Sequence, residues 1–234
     1  MSAHRSIPIS APRADLRSVA LRNAPAGAES ASLTAPFAQG SLVLGITGGT
    51  GCGKTTLLNI IRDHGGLVLD CDAIYHQLLT TDPALLASIE ARFPGTVENG
   101  TLRRKKLGAI VFSDPPALQD LNAITHAAIK AEVLRRLETA PALAAIDAIA
   151  LFEGNLSQFC NITVAVTAPF AERVQRLQKR DNISEEYAKN RIAAQHDEDW
   201  FRDRCDCILE NNGTSMQFYN KCIAFLSDLG IIKE

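Results

Sequence analysis

From Leu42 onward, short apolar runs alternate with longer stretches whose apolar positions recur at helical spacing. Five runs are brief, aliphatic and β-branched enough to be buried central strands: Leu42–Ile46, Leu67–Cys71, Ala145–Phe152, Ile162–Val166 and Cys207–Leu209. Parallel neighbours need crossovers, so this alternation predicts β-α-β units: an α/β fold with a five-stranded parallel sheet flanked by helices. The first crossover is a short helix over Thr55–Asp63 that ends near Gly65-Gly66. The segment from about 73 to 140 is long enough for several helices, which leaves room for a helical acceptor-binding insertion before the third strand. Another helical stretch surrounds Ala188–Gln195.

Residues 1–40 lack this pattern. They are rich in Ala, Ser and Pro, carry Arg5, Arg13, Arg17 and Arg22, and hold only Asp15 and Glu29 as acids. An Arg-rich, acid-poor leader suits a transit peptide, but scattered prolines work against an amphipathic helix, so a disordered extension is expected there. The remainder, 41–234, reads as one domain, since 234 residues suffice for one α/β core with a small excursion and not for two full domains.

Composition narrows the partners. A formal charge of −2 gives no general pull toward nucleic acid or anionic lipid, so any anion must be bound by a local arrangement. No run approaches the roughly 20 apolar residues of a membrane span, and the first 40 residues have no secretory core. The six cysteines form no C-x-x-C pair and read as reduced thiols of a cytoplasmic protein. Cys205 and Cys207, flanking Asp206, are expected to share one face of a strand as small buried hydrophobes, with no metal between them.

The first strand runs into Gly48-Gly49-Thr50-Gly51-Cys52-Gly53-Lys54-Thr55, which fits G-x-x-x-x-G-K-[ST] between a strand and a helix. Such a loop turns its N–H groups around phosphate oxygens, and the helix that follows adds its positive end. Lys54 would bridge the outer phosphates of ATP and the Thr55 hydroxyl would ligate magnesium, with Thr56 assigned to the same nucleotide site. This arrangement identifies a P-loop NTPase or kinase fold.

In open α/β sheets the ligand crevice lies beyond the carboxyl ends of the strands. Two acidic positions stand out there: Asp72, after the second strand, and Glu153, at the end of the third. A kinase needs one carboxylate to orient or deprotonate the attacking hydroxyl and often another near magnesium, roles that Asp72 and Glu153 can fill. Asp72 could equally cap the helix that begins at Ala73, whereas Asp70 reads as structural. Arg173, Arg176 and Arg180 share one side of a helix at i, i+3, i+7, and Arg191 lies in the next helical stretch. Such a stripe is either a solvated face or, in a phosphoryl-transfer enzyme, part of a small lid over about 170–200.

Together these blocks resemble the dephospho-coenzyme A kinases from Leu42 to Gly213. The loop Gly45-Ile46-Thr47 through Thr55, the pair Asp70-Cys71-Asp72, the stretch Gly100 to Arg104 with Leu107 and Val111-Phe112, then Leu121 to His126, Leu151-Phe152-Glu153, Arg176, Arg180, Gln195 and Asn211 follow that family's order. The resemblance implies ATP-dependent phosphorylation of the ribose 3′-hydroxyl of dephospho-coenzyme A, the last step of coenzyme A synthesis. By it Asp72 is the base, Arg104 and His126 face the acceptor, Arg176, Arg180, Arg191 and Gln195 belong to the lid, and Asn211 joins the ATP site. Lys54, Asp72, Arg176 and Arg180 are then the catalytic set, and no obligate protein partner is implied. The chain departs from the family pattern at Ala127, where Pro is usual, at Ile149-Ala150, and at Arg173, where Gln is usual. Without the resemblance His126 would read as a surface helix residue.

Two rivals remain at this stage. Another P-loop kinase acting on a nucleoside or small metabolite shares the loop and lid. A GTP-dependent switch would carry N-K-x-D, but Asn220-Lys221-Cys222-Ile223 lacks the acid, and Asp63-His64-Gly65-Gly66 follows the loop too soon.

Overall fold

The computed structural model describes residues 7–8 and 42–232. Strands β2 (Leu42–Thr47), β3 (Leu67–Asp70), β6 (Leu143–Asp147), β7 (Ile162–Thr167) and β8 (Cys207–Glu210) form the parallel sheet that the apolar runs predict. A two-residue strand β1 (Ile7–Pro8) pairs with Cys207 and Ile208 at one edge, giving the order β1-β8-β7-β2-β6-β3. The rest of the expected extension over 1–40 lies outside the described residues.

Alternation along the strands sends neighbouring side chains to opposite faces, and each face has its own core. Val43, Leu69, Ala144 and Ile146 pack on one side, against α2 (Cys71–Thr81), α3 (Pro83–Arg92) and α5 (Pro115–Leu137). Leu44, Ile46, Ala145, Val164 and Leu209 pack on the other, against α1 (Lys54–Asp63) and α9 (Ser215–Asp228). The insertion also holds α4 (Arg104–Val111) and a hairpin, β4 (Val97–Glu98) with β5 (Thr101–Leu102). Its two-residue turn, Asn99-Gly100, has positive φ at both positions, the geometry that continues strand twist through a tight turn. After β7 come α6 (Phe170–Asp181), α7 (Glu185–Ala193) and α8 (Glu198–Arg204).

Several boundaries differ from the sequence reading. β3 stops at Asp70 because that side chain accepts the Ala73 N–H at 2.9 Å and starts α2 one residue later. β6 spans Leu143–Asp147 instead of reaching Phe152, since the chain beyond Ala148 folds into successive turns closed by Gly154 N–H to Ala150 O and Leu156 N–H to Leu151 O. Cys205 terminates α8 and packs with Ala165, Phe201 and Ile208, whereas Cys207 lies in the core of the opposite face, so the two do not share a strand face. Among the described residues, no helix is long and apolar enough to cross a membrane.

Candidate active site

Chain reversal places the site. From β2 the chain moves out to β3, returns to β6, then crosses to β7 on the far side of β2. Loops after β2, β3, β6 and β7 therefore converge on one crevice at the carboxyl ends. There a cavity of about 700 Å³ is lined by Gly49 to Thr55, Asp72, Asp147, Ile149, Arg176, Lys179, Arg180 and Arg191.

The loop owes its shape to close approaches that only glycine permits. Gly48 has φ +128, and a Cβ there would strike the Val166 carbonyl. A Cβ on Gly49 would collide with the Arg173 guanidinium. Lys54 opens α1 and folds back, its ammonium donating to the Gly48 carbonyl at 3.1 Å. Thr55, in the first turn, is exposed to the cavity; Thr56 does not line it. Cys52 contributes backbone only, its thiol buried in the core and its pKa raised by that burial.

Carboxylates are arranged differently from the sequence reading. Asp70 caps α2, so Asp72 in the first helical turn is free of that task and exposed on the cavity wall. Glu153 is displaced because β6 ends early: its Oε1 lies 2.6 Å from His196 Nε2, whose ring stacks on Trp200 at 3.7 Å. Glu153, expected near magnesium, does not line the phosphate cavity. The carboxylate that lines the cavity beside Lys54 is Asp147, the last residue of β6, with Oδ1 3.9 Å from Lys54 Nζ. Burial, reinforced by Asp70 and Asp72 and opposed by Lys54, pushes its carboxyl up to about 6. Reading the third strand through to Phe152 hid it. The one available signal was Asp147 closing an unbroken apolar run, Leu143 to Ile146.

The arginine stripe faces the loop. Arg176 donates to the Gly51 and Cys52 carbonyls at 3.2 and 3.4 Å and pairs with Glu172 at 2.6 Å. Arg180 and Arg191 both pair with Asp181, at 2.7 and 2.6 Å, and these two partners hold the Asp181 carboxyl down at about 2. Arg173, absent from the cavity lining, donates through Nε to the Thr50 carbonyl at 2.9 Å. Gln195 accepts the Thr50 N–H at 2.8 Å and so contacts the loop from outside. Asn211, expected in the ATP site, is likewise behind the loop: buried, it donates to the Cys52 carbonyl at 2.9 Å and does not line the cavity.

On the acceptor side, a second cavity of about 90 Å³ is lined by Cys71, Asp72, His126, Ile129, Ala148 and Gly154, among others. His126 on α5 is half-buried there and not a free surface residue. Asp72 and Ile149 line both cavities. Arg104, at the start of α4, is exposed beside His76, with Nη2 3.4 Å from that ring's Nδ1, and lines neither cavity.

Residues 42–217 match the family model described as dephospho-CoA kinase, CoaE. A dephospho-CoA kinase from Deinococcus radiodurans is 37% identical over 174 residues, covering 73% of this chain and 84% of the relative. Another, from Lactobacillus acidophilus, is 34% identical over 185 residues, covering 76% and 92%. Among solved structures, a protein from Thermus thermophilus superposes with a TM-score of 0.71 at 31% identity, covering 82% of this chain and 99% of that one. A dephospho-CoA kinase from Campylobacter jejuni superposes at 0.53 with 25% identity, covering 81% and 97%.

Proposed function

The chain belongs to the dephospho-CoA kinase family, and from that premise we infer how its residues divide the work. The reaction is transfer of the ATP γ-phosphate to the ribose 3′-hydroxyl of dephospho-CoA, giving CoA and ADP, the final step of CoA biosynthesis. ATP binds along the phosphate loop, and dephospho-CoA enters from the side of Asp72 and His126.

One observation carries the assignment of the base: Asp72 lines both the phosphate cavity and the small cavity holding His126, while Asp70 does the capping. A carboxylate at that junction can accept the 3′-hydroxyl proton as the new O–P bond forms and the bond from the γ-phosphorus to the bridging oxygen of ADP breaks. Lys54, Arg176 and Arg180 converge on the same space and offset the charge spread over the transferring group. Arg191 and Lys179 extend this positive wall.

The cavity also suits magnesium. Its available donors, the Thr55 hydroxyl and carboxylate oxygens, are hard, and the described residues contain no group of three or more His, Cys, Asp or Glu able to hold a metal alone. Thr55 would hold the ion together with nucleotide phosphate oxygens. When bound, magnesium supplies Lewis-acid stabilisation of those oxygens.

The partners of this reading are two small molecules, with no nucleic acid, membrane or obligate protein partner. Six free, buried cysteines support the cytoplasm as its compartment. The decisive experiment incubates the protein with magnesium, ATP and a panel of hydroxyl acceptors, then weighs the products. Dephospho-CoA gaining one phosphate, ahead of nucleosides and small alcohols, is the expected result; preferential phosphorylation of another acceptor overturns the assignment.

A further inference from the structure

The tip of the phosphate loop is held from outside the site. The Thr50 N–H donates to Gln195 Oε1 at 2.8 Å, the Thr50 carbonyl accepts from Arg173 Nε at 2.9 Å, and Arg173 Nη2 donates to the same Gln195 oxygen at 3.1 Å. These three bonds close a ring through the backbone of one residue, Thr50. Arg173 stands in the first turn of α6 and Gln195 just beyond the end of α7, so the ring ties the loop to both ends of that helical pair.

We propose that Arg173, acting with Gln195, is a positioning residue that fixes the loop tip in its phosphate-binding shape and couples it to the α6–α7 pair. The Arg173 guanidinium packs on Gly49 and the Arg173 backbone and Cβ pack on Gly51, and the missing side chains of both glycines leave that space. Arginine suits the task because its planar fork reaches two acceptors at once, the carbonyl and the amide oxygen, which an ammonium does as a point charge without fixed geometry. With the Thr50 N–H spoken for by Gln195, the remaining loop amides and Lys54 are left to hold the phosphates. An unlatched tip would sample other orientations, and nucleotide binding would bear the cost of ordering it. This holds whether or not Asp72 is the base, because it concerns nucleotide binding and not proton transfer.

The test measures ADP affinity in magnesium and, separately, dephospho-CoA affinity by calorimetry, in Arg173→Met, Gln195→Met and the double variant. Methionine keeps the length of each stem and removes its polar end. Each single change is expected to weaken ADP about tenfold, the scale of one lost charge-assisted hydrogen bond. The double change should weaken it by less than about thirtyfold, far short of the hundredfold of independent sites, because either change opens the same ring. Dephospho-CoA affinity should stay within about twofold. ADP affinity unchanged in both single variants, or losses that multiply fully, or a parallel loss of dephospho-CoA affinity would each overturn the proposal.

Discussion

The Lys54 ammonium lies 3.9 Å from the Asp147 carboxylate, in a cavity where that carboxyl is buried enough to titrate at about 6 despite the neighbouring cation. Desolvation therefore outweighs the pairing. In the folded protein Asp147 keeps its proton to higher pH than in the unfolded chain, so folding stability falls as pH climbs from about 4 to about 6 and levels off above that.

Asp147→Asn removes this penalty. For the nucleotide-free protein its gain over wild type should be near zero at pH 4 and reach roughly 2–3 kcal/mol above pH 7, the equivalent of about two pKa units. Thermal melts at pH 4.5, 6 and 7.5 should show melting temperature rising above wild type by several degrees only at the higher values. No gain at pH 7.5 would mean that the carboxylate is adequately solvated or paired.

Lys54→Ala should lower turnover by a factor of roughly 100 or more, since the loop's own ammonium then no longer offsets charge on the transferring phosphate. The fold should survive, because Lys54 only rests against Gly48 and Asp147 at the cavity wall. Near-normal turnover in a folded variant would remove the loop from the chemistry.

Asp72→Asn preserves shape and loses basicity. Turnover should fall by a factor of roughly 100 to 10,000 with ATP affinity almost unchanged. Because Asp70 carries the α2 cap, melting temperature should barely move. Retention of more than about a tenth of wild-type turnover at saturating dephospho-CoA would defeat the base assignment.

Arg180→Ala should reduce turnover more than it weakens ATP, since Arg180 reaches the cavity from Asp181 without touching the loop. Arg176→Ala should affect both, because Arg176 also holds the Gly51 and Cys52 carbonyls. Wild-type kinetics in both variants would reduce the stripe to a solvated surface.

Glu153→Gln should leave turnover within about threefold. Its partner is His196, and neither residue lines the phosphate cavity. A loss beyond tenfold would restore the expected role of Glu153 near magnesium.

What the sequence by itself determined is local or periodic. Glycines at fixed spacing between a strand and a helix dictate a phosphate loop wherever they occur, because the dihedral and packing demands fall on consecutive residues. Alternating apolar runs likewise specify a parallel sheet, and the rule that ligands sit beyond strand ends brought Asp72 and the loop together. What only the tertiary structure decided depends on where a strand stops and on contacts between distant segments. Asp147 and not Glu153 lines the phosphate cavity because β6 ends five residues before Phe152, a limit set by turns whose hydrogen bonds no apolar pattern records. Choosing Asp70 over Asp72 as the cap turned on a two-residue shift in where α2 begins, at Cys71 and not Ala73. Arg173, at a position that departs from the family pattern, became a contact of the loop tip only when α6 packed against Gly49 and Gly51, more than 120 residues away. Such contacts arise from the three-dimensional meeting of two surfaces, each of which reads along the chain as an ordinary helix face and an ordinary turn.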